Sequence, residues 1–249
     1  MDFSGDVGEW QRNVSEGKAG KDRRMKVIEA LNIQSGQSII DIGCGGGHLL
    51  KELGMCVGNK GHVFGLDNSP QQLDNARTYC SEYDCIELIE GNATDIPCAN
   101  EVFDGLVGIQ TYEYIKDVGP ALKEARRVLK LGCPIAIVSI LWDHCRFYGA
   151  EEVLNQEIFE AFKAHCFHQM LPMEMKSKLQ NLGFYNIKNK ELAFLITERN
   201  NNSPAKFTEE TIAKFALKEG VSEDKVLDWR NQLALAEEQG HFGFTSFPV

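Results

Sequence analysis

The residues with the clearest chemical potential lie in one short stretch, IIDIGCGGGHLL, at positions 39–50. An apolar run reaches Asp41, and four of the five residues at positions 43–47 are glycine. Glycine weakens regular structure, but it lets the backbone turn sharply or come close to a ligand. A helix that follows such a loop offers free backbone N–H groups and a partial positive charge at its first turn. The stretch therefore predicts a ligand-binding turn between a buried strand and a helix.

The spacing of the glycines discriminates between the ligands that such turns bind. A phosphate-binding loop requires G-x-x-x-x-G-K-[ST], but a histidine and a leucine occupy positions 48 and 49, where this pattern needs glycine and lysine. A dinucleotide fingerprint requires G-x-G-x-x-G, and its third glycine, which permits close packing of helix on strand, is again replaced by His48. What remains is an acid followed by alternate glycines: Asp41, Gly43, Gly45 and Gly47.

A second acid, Asp67, closes the next apolar run, 20 residues after Gly47. A carboxylate at the end of a second strand can accept hydrogen bonds from both hydroxyls of a ribose. The alternative is that Asp67 caps the following helix, but Ser69 and Pro70 already supply an N-cap and a first helical residue. We therefore expect Asp67 to bind a ribose.

Strands and helices alternate along the first 142 residues. Apolar runs predict strands at 38–42, 62–66, 86–89, 103–109 and 134–141, with helical segments between most of them. This order predicts right-handed strand–helix–strand units on a parallel sheet, and strands that are apolar on both faces indicate a sheet covered on both sides.

The pattern changes after position 142. Helical spacing occupies 151–168, 172–182, 208–220 and 222–239, and 185–197 is predicted as a strand. The last nine residues, HFGFTSFPV, predict a final strand at a sheet edge, because a proline near the end of a strand suits an edge.

Five motifs in sequence order resemble those of the class I S-adenosylmethionine-dependent methyltransferases, in particular the small-molecule branch with its ubiquinone/menaquinone-type and arsenite-type enzymes. They are DIGCGGG at 41–47, VFGLDNS at 63–69, IEGNATDIP at 89–97, FDGLVGIQTYEYIKD at 103–117 and EARRVLKLGCPIAI at 124–137. The resemblance implies an α/β fold: a Rossmann-like, seven-stranded, mostly parallel sheet with helices on both faces, and helical insertions that roof the substrate pocket.

The resemblance also implies how the chain is divided. Residues 1–24 would form an N-terminal arm or lid that carries Trp10, and residues 25–142 would form the Rossmann-like core that binds S-adenosylmethionine. Residues 143–249 would supply the substrate-side helices and the last two strands of the same domain.

The resemblance implies S-adenosyl-L-methionine as the cofactor and S-adenosyl-L-homocysteine as its product. The glycines would leave room for the methionine tail, Asp41 would lie near the ammonium group of that tail, and Asp67 would bind the ribose. Asn92 stands where the family usually has aspartate; it keeps an acceptor for adenine and adds a donor. The expected cofactor residues are Asp41, Gly43, Cys44, Gly45, Gly47, Asp67, Asn68, Asn92, Ala93 and Gln110.

Methyl transfer from a sulfonium is an in-line displacement, so the protein mainly aligns the reactants and excludes water. A general base is needed only when the acceptor keeps a proton at the working pH. The catalytic candidates are Tyr112 and His144, which follow the fourth and fifth strands. The loop after the fourth strand reads QTYE, not the Asn/Asp-Pro-Pro-Tyr motif of amide and adenine methylases. We therefore expect a small-molecule acceptor with an N, O, C or S nucleophile.

The net charge and the length of the apolar runs argue against nucleic acid and membranes as partners. The formal net charge of −10 argues against nucleic acid, and the basic stretch 18–26 is interpreted as a solvated helix face. The longest apolar run, 135–142, is far too short to span a membrane, and the N-terminal sequence MDFSGDVGEW lacks the apolar core of a signal peptide. We expect a cytoplasmic protein; the oligomeric state is not predicted.

The cysteines and histidines predict no metal site. The eight cysteines include no C-x-x-C pair and are expected to be reduced thiols. His165 and His168, three positions apart, are interpreted as structural. Arsenite methylation needs several converging thiolates, and the spaced cysteine pair of that subfamily is absent.

Two other function classes stay open. The first is an NAD(P)-dependent oxidoreductase on a Rossmann fold, against which His48 and the alternate glycines argue. The second is a non-catalytic module that binds S-adenosylmethionine, against which the intact motifs argue only weakly.

Overall fold

A computed structural model describes residues 15–200 and 203–249, so the predicted lid residue Trp10 lies outside the described residues. In chain order the helices and strands are α1 (Lys18–Leu31), β1 (Ser38–Ile42), α2 (His48–Val57), β2 (His62–Asp67), α3 (Pro70–Tyr79), β3 (Ile86–Glu90), β4 (Gly105–Ile109), α4 (Val118–Val128), β5 (Ile135–Val138), β6 (Arg146–Tyr148), α5 (Glu152–Phe162), α6 (Leu171–Asn181), β7 (Phe194–Ile196), α7 (Pro204–Lys218), α8 (Glu223–Glu238) and β8 (Gly243–Ser246). Single turns of 3-10 helix lie at Gly58–Lys60, Tyr112–Tyr114, Trp142–His144 and Lys163–His165.

The described residues form two compact units. The parallel-sheet unit consists of Gly20–Ser139 and Pro172–Lys188. The antiparallel-sheet unit consists of Ile140–Leu171 and Asn189–Val249, together with the described residues before Gly20.

The parallel-sheet unit contains five strands in the order β3-β2-β1-β4-β5, and every neighbouring pair is parallel. The central strand β1 is buried on both faces, with Ile39, Ile40 and Ile42 at 0% exposure. The prediction of a parallel α/β sheet is therefore confirmed. Because β2 and β4 flank β1, the strand order reverses beside β1, and ligands of such sheets bind at the carboxyl ends of the strands around this point.

The predicted seven-stranded sheet is wrong: the main sheet has five strands, and β6, β7 and β8 form a separate antiparallel sheet. The predicted edge position of the last strand is also wrong, because β8 lies between β6 and β7 and pairs with both. The proline that suggested an edge, Pro248, lies beyond the strand and bridges to Ile140. The predicted strand at 185–197 is reduced to the three residues of β7.

The start of α3 agrees with the capping residues predicted from the sequence, but the start of α7 does not. At α3, Ser69 accepts a hydrogen bond from the backbone N–H of Gln72 and Pro70 is the first helical residue, as predicted. The predicted start of α7 at Thr208 is four residues too late, because Ser203 caps this helix and Pro204 begins it.

Buried polar side chains tie the antiparallel-sheet unit together. The indole N–H of Trp229 donates to Asn155 Oδ1 at 2.9 Å, and Asn155 Nδ2 donates to the Phe147 carbonyl at 2.9 Å. The buried carboxylate of Glu209 accepts two hydrogen bonds from Arg199, each 2.8 Å long. These contacts connect α5 with α8 and β6, and α7 with the segment after β7.

Candidate functional site

The glycine loop joins β1 to α2 through a backbone that favours glycine. Gly43, Gly45 and Gly47 have φ values of 73°, 51° and 86°, in the left-handed region that side chains disfavour. The backbone N–H groups of Gly43 and Cys44 both donate to the Leu66 carbonyl, at 2.7 and 3.1 Å. The alternation of glycines in the sequence therefore corresponds to an alternation of left-handed residues in the turn.

The three glycines have different surroundings. A Cβ atom on Gly43 would lie 2.2 Å from Thr111 Oγ1, and one on Gly47 would lie 2.9 Å from Cys80 Sγ. A Cβ on Gly45 would meet nothing closer than Gln72 Oε1 at 3.8 Å. Gly43 and Gly47 thus permit close packing of neighbouring elements, and Gly45 is the position with open space.

Asp67 lies at the carboxyl end of β2 and holds two backbone segments. Its Oδ2 accepts a hydrogen bond from the Gly45 N–H and its Oδ1 accepts one from the Ser69 N–H, each at 2.9 Å. The carboxylate is half-buried, and in the described part of the chain no cation forms an ion pair with it. Because an ionised carboxylate offers about four acceptor positions, two remain for further donors.

Asp41 lies inside β1, with Gly65 of β2 and Val107 of β4 as its register partners. The residue is only 3% exposed. Burial, and after it the charge of Asp67, raise the pKa of the Asp41 carboxyl to about 8. A cationic group beside Asp41 would lower this pKa again, because an opposite charge favours the ionised form.

The remaining cofactor candidates lie near the same edge of the sheet. The buried Cys44 side chain packs against Gly65, where a Cβ would lie 2.9 Å from its Sγ, and burial raises the thiol pKa well above its ordinary value. Asn68 follows Asp67 and is exposed. Asn92 is exposed just after β3, where its carbonyl accepts the Asp95 N–H at 3.0 Å, and Ala93 is buried.

Gln110 follows β4 and has a φ of 50°, which is uncommon for a residue with a side chain. Its backbone N–H donates to the Val138 carbonyl at 2.7 Å, and its side-chain Oε1 accepts a hydrogen bond from Arg23 Nη1. The next residue on α1, Arg24, donates through Nε and Nη2 to Glu52 Oε1, at 2.9 and 2.7 Å.

The interpretation of 18–26 as a solvated helix face is therefore wrong for two of its residues. Arg24 is 7% exposed and Arg23 is half-buried. A signal for this was present in the sequence, because Arg24 lies three and seven positions before Val27 and Leu31, on the helix face that they bury. Arg23 could not be found in this way, since its partner is 87 positions away.

The two catalytic candidates lie in different units and remain predictions. Tyr112 is 1% exposed and packs on Gly108, where a Cβ would lie 2.7 Å from its Cε2. Its hydroxyl has no hydrogen-bond partner among the described residues. Burial, and then Asp41, raise its pKa far above the ordinary value, so the phenol is neutral. His144 is exposed, with its ring 6.3 Å from that of Phe247.

Two other titratable side chains of the antiparallel-sheet unit, those of His165 and Cys145, are buried. His165 stacks on Phe162 with a centroid distance of 3.9 Å, and burial lowers its pKa to about 4. Burial raises the pKa of the Cys145 thiol to about 11, so this thiol is neutral. Across the ranges 15–200 and 203–249, no group of three or more His, Cys, Asp or Glu side chains is placed to hold a metal ion.

Comparison with known proteins agrees with this geometry. Residues 40–137 match the family model described as a methyltransferase domain. The O-methyltransferase resE of Aspergillus sclerotiorum is 29% identical over 96% of this chain and 88% of its own length. The chloroplastic 2-phytyl-1,4-beta-naphthoquinone methyltransferase of Arabidopsis thaliana is 38% identical over 42% of each chain. Matches to several other curated relatives cover about half of their length or less, from 36% to 50%.

A solved structure shows the same fold. The YcgJ protein of Bacillus subtilis superposes with a TM-score of 0.63 at 14% identity, over 92% of this chain and 96% of that one. The domain match, the glycine loop and the acid after β2 make residues 40–137 similar to the class I S-adenosylmethionine-dependent methyltransferases. No helix of the described residues is long and apolar enough to cross a membrane.

The packing of Gly43 predicts a specific loss of stability. Gly43→Ala places a side chain in a left-handed residue, which costs about 1–2 kcal/mol, and drives it into Thr111, which adds about 1–3 kcal/mol. Gly36→Ala is the matched control, because Gly36 has a φ of 88° with nothing within 4 Å of the added Cβ. Urea unfolding of both variants measures the difference, and equal losses would contradict the contact with Thr111.

The raised pKa of Asp41 predicts a pH dependence of the free energy of unfolding. The folded pKa of about 8 lies above the unfolded value of about 3.9, so the folded protein binds the extra proton between these pH values. The stability due to this group is complete below about pH 4 and is lost as the pH rises to about 8. Asp41→Asn should remove this loss, at most about 1.4 kcal/mol per pH unit.

Denaturant unfolding of the ligand-free protein at pH 5, 6, 7 and 8 measures this slope. Asp104→Asn is the control: burial raises the Asp104 pKa, but its hydrogen bonds with Lys130 and Ser38 outweigh burial and hold the pKa below its ordinary value. Asp104 is thus ionised in both states over this range, so its variant should keep the wild-type slope. The same slope in Asp41→Asn as in the wild type would contradict the assignment.

Proposed function

We propose that the protein transfers the methyl group of S-adenosyl-L-methionine to a small-molecule acceptor by in-line displacement. The observation that carries the proposal is the position of Asp67. It fixes the loop at Gly45, the one alternate glycine with open space, and it keeps acceptor positions for two hydroxyl donors. The match of residues 40–137 to a methyltransferase domain supports the same conclusion.

The ribose, the ammonium group and the adenine ring of the cofactor would each have a fitting partner at this edge of the sheet. The ribose hydroxyls would donate to Asp67, and the ammonium group would lie near Asp41, where a cation relieves the cost of a buried carboxylate. The adenine ring would lie beside Asn92 and Ala93, with Asn68 next to the ribose. Cys44 would contribute through its backbone, because its side chain packs inward against Gly65.

The cofactor supplies the electrophilic methyl group when it is bound, and the residues of this chain supply alignment. Tyr112 is neutral and buried, so it would act as a hydrogen-bond donor or a packing surface rather than as a base. His144 is the exposed candidate for a proton acceptor. We assign no obligatory general base, since displacement at a sulfonium needs one only for a protonated nucleophile.

The acceptor is proposed to be a small molecule. The names of the relatives specify an O-methyltransferase and a naphthoquinone methyltransferase, and the net charge of −10 disfavours nucleic acid. We propose that residues 143–249 determine which acceptor binds, and that residues 25–142 hold the cofactor. The eight cysteines, all free, favour a reducing compartment such as the cytoplasm.

Binding of S-adenosylhomocysteine tests the cofactor site. Asp67→Ala should weaken this binding about ten- to hundredfold, because hydrogen bonds to a charged group contribute about 1.5–3 kcal/mol. Asp104→Ala is the control: this carboxylate also accepts a backbone N–H, from Ser38, but lies at the amino end of β1. Titration calorimetry should find the control unchanged. Equal affinities for Asp67→Ala and the wild type would contradict the ribose assignment.

Transfer of tritium from labelled S-adenosylmethionine into a fractionated metabolite extract tests the reaction itself. The wild type should label one small-molecule fraction, and Asp67→Ala should label it at a rate lower by a factor similar to its loss of affinity. Cofactor binding without any labelling would favour a non-catalytic module. A fluorescence titration with NADH should show no binding, and tight binding there would favour the oxidoreductase.

A further inference from the structure

The loop between β3 and β4, residues 91–104, forms neither helix nor strand. Its first turn is closed by a hydrogen bond from the Asp95 N–H to the Asn92 carbonyl at 3.0 Å. Ala93 and Ile96 are buried, at 8% and 2% exposure. Because buried backbone groups need hydrogen-bond partners, a loop without regular structure depends on side chains from other elements.

Arg127 on α4 supplies several of these partners. Its Nη1 donates to the Cys98 carbonyl at 2.7 Å and to Asn100 Oδ1 at 2.9 Å, and its Nη2 donates to the Ile96 carbonyl at 2.7 Å. Its Nε and Nη2 also donate to the two carboxylate oxygens of Glu124, each at 2.7 Å. All five N–H donors of the guanidinium are therefore engaged, and three of them hold the loop.

Glu124 holds the same loop through an N–H group. Its Oε2 accepts a hydrogen bond from the Ile96 N–H at 2.8 Å. The hydrogen bond from Arg127 lowers the pKa of the Glu124 carboxyl below its ordinary value, so this group is ionised at neutral pH. The pair thus binds both backbone groups of Ile96 through charge-assisted hydrogen bonds, which are about twice as strong as neutral ones.

The other end of the same turn is tied to the acid at the end of β2. The N–H of Gly91 donates to the backbone carbonyl of Asp67 at 3.0 Å. Asn92 and Ala93, which are proposed to lie beside the adenine ring, therefore stand between two fixed points, Gly91 and Ile96. The first point belongs to the sheet edge, and the second depends on two side chains of α4.

We propose that Arg127 and Glu124 are positioning residues for the adenine subsite. They fix Ile96, and through it they hold Asn92 and Ala93 where the ring binds. This inference rests on the proposed function, and both side chains act through the loop. Without the pair, the loop would have the binding-competent conformation for only part of the time. The apparent affinity for the base would fall by that fraction.

A pair of ligands that differ at the adenine tests this inference. The first is S-adenosylhomocysteine, and the second is S-ribosylhomocysteine, in which a hydroxyl group replaces the base. Titration calorimetry on the wild type should find the first ligand bound at least about tenfold more tightly, because only this ligand buries a base. In Arg127→Met the affinity for the first ligand should fall about three- to thirtyfold, while that for the second should change less than about twofold.

Further variants on α4 separate positioning from a general effect. Arg126→Met is the matched control: the Arg126 guanidinium donates to the Leu129 carbonyl at 3.4 Å, and both affinities should stay unchanged. Arg127→Lys keeps the charge without the planar fork and should retain part of the affinity for the first ligand. Glu124→Ala removes the acceptor of the Ile96 N–H and should weaken the first ligand only, so it tests the inference even if Arg127→Met does not fold.

The outcomes distinguish this inference from the proposed function. A purely structural role of the pair would destabilise the whole fold and weaken both ligands by the same factor. That result, or no change in either affinity, would overturn the positioning role and leave the proposed function intact. Failure of the wild type to bind S-adenosylhomocysteine would overturn the proposed function, and the role of Arg127 and Glu124 with it.

Discussion

The two hydrogen bonds that Asp67 accepts from the backbone N–H groups of Gly45 and Ser69 hold the carboxyl edge of the parallel sheet together. One bond fixes the glycine loop and the other fixes the start of α3, so a single carboxylate sets the spacing between two segments. The same charge contributes to the raised pKa of Asp41 in the middle of β1. Because Asp41 and Asp67 interact electrostatically, they would suit a ligand that brings a cation to the first and hydroxyl donors to the second. The carboxylate that sets the geometry of the loop therefore also contributes, after burial, to the raised pKa of Asp41.

Features that depend on neighbours in the sequence could be predicted. The alternate glycines, the acid that ends β2 and the N-cap of α3 are written in consecutive residues, and the structure has the left-handed glycines and the Ser69 cap. The individual roles of Gly43 and Gly47 could not be predicted, because the atoms that crowd them belong to Thr111 and Cys80. The inward position of Arg23 could not be predicted either, because its hydrogen-bond partner Gln110 lies 87 positions away. A run of basic residues does not reveal which side chain turns inward until the partner elements are in place.

The number of strands in the main sheet could not be predicted, for a different physical reason. The strands β6, β7 and β8 have three or four residues each, too few for a hydrophobic pattern to specify a partner. The alternation of side chains along β8 indicates which of them are buried, such as Phe244 and Ser246. It does not indicate which strand pairs with β8 on either side. Parallel pairing in the main sheet was easier to predict, because helices intervene between most of its strands and its central strands are apolar on both faces.

The central place of β8 has a consequence for the order in which the chain folds during synthesis. Phe244 is the register partner of both Phe147 and Ile196, so β6 and β7 have no direct pairing with each other within their sheet. That sheet cannot close until Gly243–Ser246 have left the ribosome, whereas the five strands of the other sheet are complete by Val138. A nascent chain that ends before Gly243 therefore contains the glycine loop and every strand of the parallel sheet, while the aromatic core around Phe147 still lacks Phe244.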